Sequence, residues 1–139
     1  MMVGIVLVFA CEKPKTELSF NSIIQGMFSE HLIPPGDILD TGAYMGIWAC
    51  MYACFDKNRM VYAVDPSPNN VKKHTCIHKN INSTAALFSN EIGSIQKKSG
   101  GFTWDRSIKK KGNVIMTTVD TYFTGITFGF MHLDVEGFE

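Results

Sequence analysis

Two acidic residues and two glycines hold most of the chemistry this sequence can offer. In Asp40-Thr41-Gly42-Ala43-Tyr44-Met45-Gly46 the glycines stand four apart behind a short apolar run, and Asp65 follows Gly46 by nineteen residues. Glycines in a strand-to-helix turn allow a sharp reversal and let a ligand approach the backbone without a Cβ in the way. The amides that open the following helix favour a negatively charged group in the same crevice. An acid closing the next strand can accept hydrogen bonds from two ribose hydroxyls. Gly42, Ala43, Gly46, Asp65 and the adjoining Pro66 therefore outline a nucleotide site. The turn is not G-x-G-x-x-G, and Asp40 would repel a pyrophosphate packed against it. That acid suits a ligand carrying an ammonium and a sulfonium, as S-adenosylmethionine does.

These residues need strands and helices in alternation. Apolar residues at helical spacing from about residue 16 to residue 31 predict a leading helix, stopped by Pro34-Pro35-Gly36. A strand is expected over residues 37–41, a helix over about 47–55 and a strand over 60–64 closing at Asp65. Ser67 as N-cap and Pro68 at the first helical position predict a helix running to about Asn80. Strands are expected at 85–89, 113–118 and 128–135, with residues 93–112 irregular or hairpin-like. This order implies a parallel sheet with right-handed crossovers. Residues 1–35 read as an N-terminal extension with the leading helix, and 36–139 as the nucleotide-binding domain.

The chain has 139 residues, 45% of them apolar and 19% charged, with 13 basic residues balancing 13 acidic ones. That is globular composition with no basic excess, which points away from nucleic acid and toward a small-molecule partner. The apolar run from Met1 to Cys11 is too short for a helical membrane span and lacks a positive leader. It reads as a buried strand or an ordered extension, with a signal or anchor remnant as the alternative. The cysteines 11, 50, 54 and 76 form no C-x-x-C pair, so buried free thiols and a cytoplasmic location are expected. His74 and His78, four apart among lysines, are expected on a solvated helix face, and no metal site is expected. Trp48 is expected in the core.

The chain closes with Asp134-Val135-Glu136-Gly137-Phe138-Glu139. Together with Asp40-Thr41-Gly42-Ala43-Tyr44-Met45-Gly46 and Asp65-Pro66-Ser67-Pro68, it resembles the FkbM family of S-adenosylmethionine-dependent methyltransferases. Asn80 and the segment Thr118-Val119-Asp120-Thr121-Tyr122-Phe123 are similar to further family positions. Asp65 stands where the family usually has Glu, Tyr44 where it often has Asn, and His132 where it often has Lys. The resemblance implies a Rossmann-like α/β methyltransferase sheet, here expected to be incomplete at the C-terminus. It also implies methylation of a hydroxyl on a small molecule or sugar. S-adenosylmethionine would be held by Asp40, Gly42, Ala43, Gly46, Asp65 and Pro66, with Asn90 or Glu91 toward the adenine. Asp134 is the candidate base. Glu136 and Glu139 are candidates for substrate contact or for a divalent cation. Two alternatives stay open: a non-catalytic S-adenosylmethionine-binding remnant, and an NAD-linked oxidoreductase. An incomplete sheet would also favour self-association.

Overall fold

A computed structural model describes residues 20–74, 76–88, 93–95 and 114–134. The elements, in chain order, are α1 (Phe20–Ser29), β1 (Asp37–Thr41), α2 (Ile47–Phe55), β2 (Val61–Asp65) and α3 (Pro68–Val71). They continue with β3 (Ile81–Phe88), β4 (Gly93–Ile95), β5 (Val114–Thr117), α4 (Val119–Tyr122) and β6 (Phe128–Leu133). The six strands form one sheet in the order β4-β5-β3-β2-β1-β6. Five are mutually parallel, and the short β4 runs antiparallel on the β5 edge. This is an α/β architecture compatible with a Rossmann-like fold.

β1 is covered on both faces: Ile38 and Leu39 point to opposite sides, and the polar Asp40 and Thr41 are buried with them. Ile38 packs with Val61, Ala63, Phe130 and the α1–α2 residues Ile24, Phe28, Ala49, Tyr52 and Ala53. Leu39 belongs to a second cluster with Val64, Ala86, Phe88, Phe123 and Phe128. Edge-to-face ring pairs bind that second cluster together: the Phe123 ring lies 4.9 Å from Tyr62 and 5.3 Å from Phe128. The register of β6 against β1 shifts between Asp37 and Ile38, so that Phe128 pairs with Asp37 and Phe130 with Ile38. Gly129 is the extra residue of this bulge, and a Cβ there would run into the Pro34 carbonyl oxygen.

Arg59 ties off the end of the sheet where β1 begins. Its guanidinium donates to the carbonyls of Ile33 (3.1 Å), Pro34 and Gly36 (2.9 Å) and pairs with Asp56 at 2.9 Å. Asn80 secures the neighbouring corner. Its amide lies within 2.8–3.3 Å of the carbonyls of Ala53, Asp56 and Arg59, where α2 ends.

The structure departs from the sequence reading at four points. The helix opened by Ser67 and Pro68 makes a single turn and ends at Val71 rather than near Asn80. β3 starts at Ile81, four residues before the expected strand. A short helix, α4, which the sequence reading did not anticipate, is capped by Thr118, whose hydroxyl accepts from the Thr121 amide at 3.1 Å. Cys50 and Cys76 are half-buried thiols, but Cys54 is disulfide-bonded, contrary to the expectation of free thiols throughout.

Candidate functional site

From β1 the chain steps outward through β2, β3 and β5, then returns to place β6 on the other side of β1. This reversal lies between β1 and β6, and the crevice outside their carboxyl ends is where open parallel sheets bind ligands. The glycine turn and Asp134 meet there. Asp134 donates its amide to the Thr41 carbonyl at 3.0 Å, and its own carbonyl closes over Gly42. Gly42 has φ of 75°, and a Cβ there would collide with that carbonyl oxygen. Glycine is thus required at 42 by the protein's own backbone.

The other end of the turn is also covered from within. Gly46 is left-handed at φ 78°, and a Cβ there would lie 3.1 Å from the His74 ring. His74 bridges the crevice, with Nε2 2.7 Å from the Tyr44 carbonyl and Nδ1 3.0 Å from the Ser83 hydroxyl. This corrects the expectation of a solvated helix face for His74. With α3 only one turn long, the chain folds back over the turn instead of exposing a helix face. Tyr44 also has positive φ, at 49°. Asn tolerates that conformation better than Tyr.

Asp65 is buried and holds three donors of the protein itself. One oxygen accepts from the Tyr44 amide at 2.9 Å; the other accepts from the Ser67 amide at 2.8 Å and the Asn70 side chain at 2.9 Å. It therefore braces the glycine turn and caps the start of α3. A carboxylate offers about four acceptor sites, so these three donors leave room for about one more.

Asp40 lies on β1 opposite Ala63 of β2, two residues before Asp65, so both acids face the same side of neighbouring strands. Asp40 is fully buried. Its Oδ1 is 2.7 Å from His132 Nδ1 on β6, while Oδ2 has no hydrogen-bond partner. Burial pushes the Asp40 carboxyl above its ordinary range, with the His132 bond opposing. The bond to Asp40 raises His132 in turn, against its own partial burial. Both shifts favour retention of a proton by the pair. Trp48 and Tyr52 of α2 wall off the imidazole, with ring centroids 5.5 and 5.9 Å away. The Tyr52 hydroxyl is a second buried polar atom with no partner, and burial raises it too. His132 was read from the sequence only as a departure from a family pattern. Its register opposite Asp40 was the missing signal.

The structure thus brings Asp40, Gly42, Ala43, Gly46, Asp65, Pro66 and Asp134 to one end of the sheet. Asn90, Glu91, Glu136 and Glu139 lie outside the described residues. Among the described residues no cluster of three or more His, Cys, Asp or Glu could hold a metal ion. No helix among them is long and apolar enough to cross a membrane. Compared with known proteins, the chain matches no family model and no curated protein.

Proposed function

We propose that this chain binds S-adenosylmethionine and transfers its methyl group to the oxygen of a small-molecule hydroxyl. The observation that carries this reading is the placement of Asp40 and Asp65 on one face of adjacent strands β1 and β2, beside a left-handed glycine turn. Asp40 keeps a carboxylate oxygen without a partner, which fits a cationic ligand reached through water. The remaining acceptor site on Asp65 fits one ribose hydroxyl. Exposed Tyr44, Met45 and Ile47 give the turn an apolar rim suited to an adenine ring. The three spaced motifs similar to the FkbM family favour the same ligand over NAD.

S-adenosylmethionine brings a methyl group already made electrophilic by its sulfonium. The protein's work is alignment of the acceptor oxygen and removal of its proton. Asp134, exposed just after β6 and held across Gly42, is the group assigned to that proton. A non-catalytic reading is favoured by one specific observation: Asp65, Gly42 and Gly46 all make close contacts within the protein itself.

Titration calorimetry of the folded chain with S-adenosylhomocysteine tests the binding claim. Binding is expected, and Asp40→Asn should weaken S-adenosylmethionine, which carries the sulfonium, more than the neutral thioether product. Absence of binding by either compound removes the proposal, and NADH that outcompetes both would point to a dinucleotide enzyme. A screen of hydroxyl acceptors then separates catalysis from a binding-only role.

A further inference from the structure

The segment after α3 runs along one face of α2. Gly46, Cys50 and Ala53 lie four and three residues apart, so they share that face. His74 lies against Gly46 at one end, and Asn80 donates to the Ala53 carbonyl at 3.3 Å at the other. Between these two anchors Cys76 lies beside Cys50, close enough to raise its thiol. Both are thiols, and both are partly open to solvent.

We propose that Cys50 and Cys76 are a redox-modification site: a low-molecular-weight disulfide converts them to an intramolecular disulfide that pins the His74 segment over the glycine turn. The Cys50 thiol is pushed up to about 12, first by burial and then by Cys76, so it holds its proton and the first attack falls to Cys76. The Cys76 thiolate attacks one sulfur of the small disulfide, whose S–S bond breaks, and one small thiol leaves. Cys50 then gives up its proton and attacks Cys76 Sγ, releasing the second small thiol. Two protein thiols are oxidised and one small disulfide is reduced to two thiols. The consequence for ligand binding rests on the function proposed above; the modification does not.

The test incubates the full chain with glutathione disulfide and digests it with trypsin without reduction. The expected product is the peptide 74–79 joined to the peptide bearing Cys50, with the intact chain lighter by about 2 Da. The link should vanish in Cys50→Ser and in Cys76→Ser. Fragmentation of the wild-type peptide locates the bond even if either variant folds poorly. Limited trypsin cleavage after Lys73 and Lys79 should slow roughly tenfold on oxidation, because local opening of the segment is suppressed. A stable glutathione adduct on Cys76, or a bond from Cys76 to Cys54, overturns the proposal, as does an unchanged cleavage rate. S-adenosylhomocysteine binding is measured in both redox states, and weaker binding after oxidation ties the site to the ligand crevice. Binding in neither state overturns the methyltransferase reading, while the cross-link and the cleavage rates still decide the redox site.

Discussion

The contact between Asp40 and His132 makes stability depend on pH. His132 has a folded pKa above its ordinary 6.5, so its contribution is complete below about that pH and is lost as pH rises through the folded value. Asp40 is raised as well, from 3.8, and so works in the same direction at lower pH. Urea denaturation should therefore show a less stable protein at pH 9 than at pH 6. His132→Gln should flatten that difference, and an unchanged slope in the variant would assign it to other groups. Gly42 and Gly125 provide a second contrast. Both are left-handed, at φ 75° and 82°, but only Gly42 has a carbonyl in the space a Cβ would fill. Gly125→Ala should cost about 1 kcal/mol from backbone strain alone, and Gly42→Ala about 3 kcal/mol or more. Equal losses in denaturant melts would mean that the end of β6 gives way freely.

Elements were legible in the sequence where turn residues bound them: Pro34-Pro35-Gly36, the Gly42–Gly46 turn and the polar turn at residues 56–59. β1, α2 and β2 lie within about a residue of their expected bounds. α3 was not legible. Ser67 and Pro68 are good starting residues, but the helix they open stops after one turn, and the contacts that take over are non-local. His74 reaches Tyr44 thirty positions away, and Asn80 reaches Ala53 twenty-seven away. Neither partnership leaves a trace in local periodicity. The acids and glycines were found because their chemistry is tied to a strand-to-helix turn. That Asp65 braces the turn, and that Asp134 fills the space over Gly42, emerged only from the tertiary structure. Arg59 is similar: from the sequence it is one charge in a polar turn, yet it holds three carbonyls together. Arg59→Lys keeps the charge but loses the planar fork, and should cost about 2 kcal/mol in thermal or chemical melts. Asp56→Asn, which weakens only a partly exposed ion pair, should cost well under that.

At the scale of the whole molecule, β6 pairs with β1 alone among the described residues, and Met131 and Leu133 on it are 44% and 49% exposed. A strand edge with apolar side chains beside it is a template for pairing with another chain. Sedimentation velocity should therefore show concentration-dependent association, and Met131→Lys should reduce it. Association unaffected by that change would place the contact elsewhere.

The position of β6 also bears on how the molecule assembles. The Thr41 hydroxyl donates to the His132 carbonyl across 91 positions of chain, whereas β1 and β2 meet across little more than twenty. Closing the longer loop carries the larger entropic penalty and slows the pairing. During synthesis β1 would thus wait with one flank unpaired until Phe130 arrives to pack against Phe28 and Tyr52. For that interval the half-built sheet is the species most open to chaperones and to wrong partners.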